Sequence, residues 1–365
     1  MPRRDELCVA LLNTAMDYES ILISQDATIL EALIKIDNIS INDTRILFAV
    51  DSNRKVVGTI SDGDCRRGFI KGKHLDTPVK EVMRTDFTFM KEDEYDIEVM
   101  HRIRKLGFKS VPVLNNDGTL SAVRDFTNGK SYIPVDAVLM AGGKGERLRP
   151  LTLETPKPLL KVADKPIIDY NIENLMHYGV ENINVTVNYL GEQIEKHFAE
   201  PVNGQKIKCV REGKFLGTIG SLDIIDDWHN DTILLMNSDL FTNIDFEAFY
   251  IHYKKHDADM SVAAVPYNVN IPYGIFEIEN TREIKGVKEK PSYYYYANAG
   301  IYLIKRELLS LIPKDTFYNA TDFMDKLIEL GKKVIRFPIA GYWIDIGKPE
   351  DFKSVQEFAR NLGKQ

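Results

Sequence analysis

The segment VLMAGGKGERLRPLT, residues 138–152, decides the fold of the larger part of the chain. It begins as a short apolar run, typical of a buried strand, and continues into Gly142, Gly143 and Gly145. Backbone N–H groups of a glycine-rich loop between a strand and a helix-forming stretch can cradle phosphate oxygens. The segment therefore predicts a phosphate-binding loop at the carboxyl end of a strand.

Two common phosphate-binding fingerprints do not fit this loop. A P-loop needs Lys and then Ser or Thr after its last glycine, but Glu146 follows Gly145. A dinucleotide fingerprint needs a third glycine where Leu148 stands, which argues against a nicotinamide-dependent oxidoreductase. The pattern G-G-x-G-x-R-L, followed by TPKPLL, fits residues 142–160 without a gap.

Strand and helix patterns alternate downstream of the loop. The run NINVTVNY, residues 182–189, is typical of a strand, and DTILLMNSD, residues 231–239, of another. Helical periodicity separates them, as in KPIIDYNIENLMHYGV, residues 165–180. This alternation predicts an α/β layer with a Rossmann-like mixed, mostly parallel sheet over residues 135–365.

The first 130 residues have a different texture and contain two similar halves. Each half reads as a helix, a strand, a turn and a second strand, and the turn at 116–118 (NDG) is a strong hairpin signal. A unit of this length buries little apolar surface alone. We therefore expect two stacked copies, at about 15–75 and 76–130, in a module separate from the α/β domain.

Composition limits the partners and the location. The net charge is −7 and the sequence pI about 5.6, which argues against a nucleic-acid partner. No apolar run reaches the roughly 18 residues of a membrane helix, so no membrane association is expected. Three widely spaced cysteines suggest neither a disulfide framework nor a cysteine zinc site, and we expect a cytoplasmic protein.

The segment AGGKGERLRPLTLETPKPLL, residues 141–160, resembles the signature of sugar-1-phosphate nucleotidyltransferases. The resemblance implies a GT-A-like fold and two substrates, a nucleoside triphosphate and a sugar-1-phosphate. Arg147 offers a planar fork to a phosphate and Lys157 a mobile point charge, and both would be catalytic. The nucleotide-binding residues implied here are Met140, Ala141, Gly142, Gly143 and Gly145.

The resemblance continues towards the C-terminus. Asp239 in NSDLF and Asp345 in GYWIDIGKPEDF match the family's metal-binding and catalytic acids, which implies a Mg²⁺ cofactor. The segment EGKFLGTIGSL, residues 212–222, resembles the base-binding segment and implies three more nucleotide-binding residues, Gly217, Thr218 and Gly220. The implied sugar-phosphate-binding residues are Tyr273, Gly274, Glu289, Lys290, Asn298 and Gly300.

The duplicated module resembles the CBS-domain pair, most clearly at GTISDGDCRRG, residues 58–68. That resemblance implies a regulatory adenine-nucleotide site at Thr59, Ser61 and Asp62. The alternative is that Ser61 and Asp62 only cap the following helix. A dimer interface in this module, and hence a homodimer or higher homo-oligomer, is also expected.

Transferases that carry such a module include guanylyltransferases of glucosamine-1-phosphate in nonulosonic (legionaminic) acid synthesis. This architectural analogy favours GTP and GDP-glucosamine. A mannose-1-phosphate guanylyltransferase and a uridylyl or thymidylyl enzyme stay open as alternatives. A nucleotide-sensing regulatory protein without catalysis is the alternative of another class.

Overall fold

A computed structural model describes residues 18–39, 45–91, 97–126, 131–278 and 282–362. Its contacts divide the chain into two compact units, Met1–Gly129 and Lys130–Gln365. Within the described ranges, no helix is both long enough and apolar enough to cross a membrane.

The first unit contains two halves with the same strand order and pairing directions. In the sheets β1-β2-β3 and β4-β5-β6, the first pair of strands is parallel and the second antiparallel. The elements are β1 (Leu22–Ser24), α1 (Ile29–Asp37), β2 (Ile46–Val50), β3 (Val56–Ser61), α2 (Asp62–Ile70), β4 (Met90–Lys91), α3 (Ile97–Lys105), β5 (Ser110–Leu114) and β6 (Leu120–Asp125).

Helix α1 shows why the local sequence folds as it does. The Thr28 side chain accepts the backbone N–H of Glu31, whose carboxylate in turn accepts the Thr28 N–H, so a capping box fixes the first turn. Ile29 and Ile36 lie on one face and are buried in the core of this half. An amphipathic helix with a defined start therefore packs on its sheet.

The second unit is built on a seven-stranded sheet of order β11-β10-β7-β12-β17-β14-β18. Its elements are β7 (Asp136–Met140), β8 (Lys161–Val162), β9 (Lys165–Pro166), α4 (Ile167–His177), β10 (Asn182–Val187), α5 (Gly191–His197), β11 (Lys208–Arg211), β12 (Thr232–Asn237), β13 (Leu240–Thr242), α6 (Phe246–Lys255), β14 (Met260–Asn270), β15 (Ile275–Ile278), β16 (Ile284–Lys288), β17 (Ser292–Lys305), α7 (Ala320–Glu329), β18 (Val334–Pro338), β19 (Trp343–Asp345) and α8 (Pro349–Leu362).

The mixed, mostly parallel sheet that the sequence predicts is confirmed. Strands β11, β10, β7 and β12 are parallel to one another, β17 is antiparallel to β12 and β14, and β14 is parallel to β18. Strand β7 is buried along nearly its whole length, which explains the apolar run at residues 137–140 that follows Asp136.

The register of the central strands positions the site. Met140 at the end of β7 lies beside Thr186 of β10 on one side and Asn237 of β12 on the other. Because parallel strands end at the same edge of a sheet, the glycine loop after β7 and the turn after β12 lie next to each other at that edge.

A short ribbon brings the C-terminal region to this edge. Strands β13 and β19 pair antiparallel, with Leu240 opposite Asp345. The backbone N–H of Ile346 also donates to the carbonyl of Asp239 at 3.3 Å. Residues about a hundred positions apart in sequence therefore become direct neighbours.

Candidate functional site

The glycine loop after β7 lines a cavity of about 340 Å³. Gly145 has φ +59°, and a Cβ there would lie 2.9 Å from the Thr152 Cγ2, so the position requires glycine. The Thr152 hydroxyl donates to the Gly145 carbonyl at 2.8 Å and holds the loop closed. The cavity is lined by Met140, Ala141, Gly143, Gly145, Glu146, Arg147, Lys157, Pro158, Ser238 and Asp239.

An acid pair and a lysine lie at one side of this cavity. The Lys157 ammonium forms an ion pair with Oδ2 of Asp239 and lies 3.7 Å from Oδ1 of Asp345. Lys157 begins a short 3₁₀ turn whose backbone is stiffened by Pro156 and Pro158. Its side chain is only 12% exposed, so the contact is shielded from solvent.

The electrostatics of Asp345 reflect this crowding. Burial raises its pKa above the ordinary range, and the neighbouring Asp239 carboxylate raises it further, while Lys157 and Arg147 act in the opposite direction. A Cβ built on Gly347 would lie 3.3 Å from Oδ2 of Asp345 and 3.4 Å from Nη2 of Arg147. The guanidinium and the carboxylate therefore border the same glycine.

The acid pair fits a hard divalent cation. Oδ1 of Asp239 is buried and has no hydrogen-bond partner, although a buried carboxylate oxygen normally has one. Mg²⁺ is commonly held by one or two carboxylates, with substrate phosphates and water completing its ligands. In the described part of the chain, no group of three or more His, Cys, Asp or Glu side chains could hold a metal. Asp239 and Asp345 could thus hold an ion that a phosphate also binds.

Asn171 supports the turn that carries Asp239, and the sequence analysis missed it. This buried residue of α4 donates from Nδ2 to the carbonyl oxygens of Leu240 at 2.9 Å and Ser238 at 3.3 Å. The Ser238 hydroxyl donates to the Met140 carbonyl at 2.6 Å. The sequence signal for this supporting role is an asparagine on the apolar face of the predicted helix.

Glu212 is a second residue that the sequence analysis missed. It is buried directly after β11, and its Oε2 accepts the Leu216 N–H at 2.9 Å. Its Oε1 lies 2.8 Å from the place that a Cβ on Gly142 would take, so the carboxyl group adjoins the glycine loop. Burial raises the pKa of Glu212.

The segment expected to bind the base has a packing role in the structure. A Cβ on Gly217 would lie 2.5 Å from the Tyr318 carbonyl oxygen, and one on Gly220 would lie 2.6 Å from the Thr316 carbonyl oxygen. The Thr218 hydroxyl accepts the Ala320 N–H at 2.7 Å, at the start of α7. Close packing against the 316–318 backbone accounts for these small residues, and their contact with a nucleotide stays a prediction.

Two residues expected in the sugar pocket lie beside the end of β12. Gly300 has φ +71°, and a Cβ there would lie 2.5 Å from Nδ2 of Asn237. Oδ1 of Asn298 accepts the Gly300 N–H at 2.9 Å. The Trp343 indole N–H donates to the Ala299 carbonyl at 2.9 Å and ties this bend to β19.

The remaining sugar-pocket candidates lie around the β15–β16 hairpin. A Cβ on Gly274 would lie 2.9 Å from Oε2 of Glu289, so these two residues are neighbours. Tyr273 is 73% exposed, and Lys290 has a left-handed backbone with φ 43°. Their contact with a sugar phosphate stays a prediction.

The CBS-like motif of the first unit corrects one assignment of the sequence analysis. Ser61 is the N-cap of α2, and its capping partner is Asp64, not Asp62. Asp64 is buried and forms ion pairs with Arg67 and Arg84. The exposed Asp62 instead lies 3.5 Å from Nε of Arg66. The spacing Ser-x-x-Asp is that of a capping box, which explains why Asp64, three residues after Ser61, is the buried acid.

Thr59, the other residue of that expected site, lies within β3 and bridges to Arg84 through backbone hydrogen bonds in both directions, at 2.9 and 2.8 Å. Adenine-nucleotide binding by Thr59, Ser61 and Asp62 stays a prediction.

Comparison with known proteins finds two families. The family described as nucleotidyl transferase matches residues 136–361, and the CBS domain matches residues 79–123. The CBS match lies in the second half of the first unit, although the sequence motif at 58–68 lies in the first half. The two families thus match residues of different units.

Two curated relatives match about three fifths of the chain. The mannose-1-phosphate guanylyltransferase catalytic subunit beta of Dictyostelium discoideum is 32% identical over 228 residues, covering 60% of this chain and 62% of the relative. The mannose-1-phosphate guanyltransferase of Saccharomyces cerevisiae is 31% identical over 228 residues, with the same coverage. The chain thus spans less than two thirds of the length of these relatives.

A solved structure of a Bacillus anthracis protein, assigned as a glucose-1-phosphate thymidylyltransferase, matches with a TM-score of 0.50. It is 24% identical, and the match covers 62% of this chain and 95% of that protein. This likeness concerns the fold alone.

Proposed function

The chain belongs to the nucleotidyl transferase family, and from this premise we propose that it is a sugar-1-phosphate nucleotidyltransferase. One observation carries the proposal. Arg147, Lys157 and Asp239 line the glycine-loop cavity, and Asp345 lies beside Lys157, although these residues come from three separate segments of the chain. A triphosphate needs this combination of amide donors, cations and metal-binding acids.

The proposed reaction needs no general base. An oxygen of the sugar-1-phosphate, already an anion, attacks the α-phosphorus of the nucleoside triphosphate in line. The new P–O bond forms as the bond from the α-phosphorus to the bridging oxygen breaks, and pyrophosphate leaves with that electron pair. Catalysis then consists mainly of positioning and of neutralising charge.

The residues of the cavity have separable roles in this scheme. The N–H groups of the glycine loop and the Arg147 guanidinium bind the departing pyrophosphate. The Lys157 ammonium neutralises charge on the phosphates in the transition state. Asp239 and Asp345 would hold Mg²⁺, which when bound would supply positive charge to offset the negative charge of the phosphates.

GTP is the proposed nucleotide, and Glu212 supports this choice. Guanine presents two neighbouring donors, N1–H and the 2-amino group, and a carboxylate can accept both. A uracil or thymine edge instead places carbonyl oxygens beside its single N–H, which a carboxylate repels. The names of the relatives in Dictyostelium and yeast also indicate guanylyl transfer in those proteins.

Glucosamine-1-phosphate is the proposed sugar substrate, and GDP-glucosamine the product, in nonulosonic acid synthesis. The support is the resemblance to transferases with an N-terminal CBS pair, together with the CBS match at 79–123. For the first unit we propose two CBS-like copies that regulate turnover through an adenine nucleotide or mediate homo-oligomer assembly. A change in turnover when AMP or ATP is added would support regulation. A molar mass above that of one chain, measured by light scattering, would support assembly.

The proposal is tested by pyrophosphate release. The full chain is incubated with GTP, ATP, UTP, CTP or dTTP, each against glucosamine-, N-acetylglucosamine-, mannose- or glucose-1-phosphate. We expect release with GTP and one hexose-1-phosphate, and its loss in Asp239→Asn. The exposed Asp257→Asn serves as a control that removes a carboxylate outside the cavity. Nucleotide binding without release from any pair would favour a non-catalytic nucleotide sensor.

A further inference from the structure

Lys157 occupies a position that a divalent cation would also need. Its ammonium touches one carboxylate oxygen of Asp239 and lies within 4 Å of Asp345. These are the two acids that fit a metal, and the 12% exposure of Lys157 leaves little solvent to separate the charges. The lysine and a cation therefore compete for the same oxygens.

The acid pair alone is a poor cage for a metal. Within the described ranges, no third His, Cys, Asp or Glu completes a metal-binding group at this or any other place. The Lys157 ammonium offsets part of the negative charge with which the two carboxylates would attract a cation. A cation that entered beside the ammonium would be repelled by it at short range in this shielded site.

A triphosphate removes this conflict. Lys157 lines the same cavity as the glycine loop and Arg147, so phosphate oxygens bound there lie within its reach. A flexible ammonium can exchange a carboxylate partner for a phosphate partner with a small movement of its stem. The phosphate also supplies the ligands that the acid pair lacks.

We infer that Lys157 is the resident counter-ion of the acid pair and that it makes cation binding depend on the nucleotide. In the free protein the ammonium blocks the metal position. When the triphosphate binds, the ammonium moves from Asp239 to phosphate oxygens and the cation enters with the nucleotide. This inference rests on the proposed function, because it assumes that the cavity binds a triphosphate.

The test measures Mn²⁺ binding to the full chain without nucleotide, by titration calorimetry and by the electron paramagnetic resonance signal of free Mn²⁺. Wild type should bind weakly. Lys157→Met should bind one equivalent about tenfold more tightly or better, because a like charge has left the site. Lys157→Arg, which keeps the charge, should bind as weakly as wild type.

Matched variants define the site. Lys165→Met removes a lysine that contacts Glu173 at 2.5 Å outside the cavity, and it should leave Mn²⁺ binding unchanged. Adding Asp239→Asn to Lys157→Met should abolish the tighter binding. If Lys157→Met does not fold, as judged by circular dichroism, Lys157→Gln takes its place. Equal or weaker Mn²⁺ binding by the folded uncharged variant overturns the inference.

A second measurement follows the coupling directly. A GTP analogue with an uncleavable methylene bridge between the α- and β-phosphorus should tighten Mn²⁺ binding to wild type by about tenfold or more. The gain should be smaller in Lys157→Met, since its site is already open. An equal gain in both proteins also contradicts the inference.

The two proposals fail separately. If no substrate pair releases pyrophosphate, the proposed function is wrong, whatever the ratio of Mn²⁺ affinities between variant and wild type. If pyrophosphate is released but that ratio is one, the enzyme stands and the counter-ion role of Lys157 is refuted.

Discussion

The substitution Glu212→Gln tests how the base is selected. In the structure Oε2 of Glu212 accepts the Leu216 N–H at 2.9 Å. An amide at this position must keep its oxygen on that N–H, so its NH₂ group takes the place of Oε1 beside Gly142. A donor would then face the N1–H and 2-amino donors of guanine.

The size of the effect follows from this geometry. A hydrogen bond to a charged group contributes about 1.5–3 kcal/mol. Losing it should lower kcat/KM for GTP roughly 10- to 150-fold. The amide NH₂ can donate to a pyrimidine carbonyl, so UTP or dTTP should improve. The fold should be retained because the side chains have nearly the same shape.

The assay compares pyrophosphate release with GTP, UTP and dTTP at subsaturating concentrations, with thermal unfolding as the folding control. Glu195→Gln, which alters a surface pair with Arg211, is the matched variant and should leave the preference unchanged. An unchanged ratio of GTP to UTP activity in a folded Glu212→Gln protein would refute base reading by Glu212.

Three further outcomes are expected. Burial and the Asp239 carboxylate raise the pKa of Asp345, so the folded protein loses stability as pH rises through that pKa and the carboxyl group ionises. Asp345→Asn should therefore abolish pyrophosphate release but keep or raise Tm at neutral pH. A clearly lower Tm would contradict the raised pKa. Gly145→Ala, at φ +59°, should lower the free energy of unfolding by about 1–2 kcal/mol, measured by chemical denaturation, and should raise the KM for nucleotide. Gly143→Ala, which has open space around its Cβ, should have the same free energy of unfolding as wild type. Because the pKa of Glu212 is raised, the affinity for GTP should fall as pH drops through that pKa. This loss should occur at a higher pH than for a glutamate with an ordinary pKa. Glu212→Gln should show no such pH dependence.

The fold of the second unit could be predicted largely from sequence, because its determinants are local. Unbroken apolar strands and a glycine loop indicate a buried, mostly parallel sheet without knowledge of distant contacts. The β13–β19 ribbon is different. Strands of three residues carry almost no periodicity, so the neighbourhood of Asp239 and Asp345 was accessible only through the family resemblance.

The functional residues that the sequence analysis missed depend on tertiary packing. Asn171 and Glu212 are polar residues in apolar surroundings, and their partners are backbone groups that only the folded chain brings close. At α2 the structure shows Ser61 as the helix N-cap, as the alternative interpretation has it, but with another partner than Asp62. The capping-box spacing places the partner of Ser61 at Asp64, and this rule was readable from the sequence.

The most direct measurement of the central claim is pyrophosphate release by the full chain with GTP, Mg²⁺ and glucosamine-1-phosphate or mannose-1-phosphate. We expect a GDP-sugar and one equivalent of pyrophosphate from wild type, and neither from folded Asp239→Asn or Arg147→Ala. Wild-type rates in either folded variant would contradict the claim that these side chains form the reaction centre.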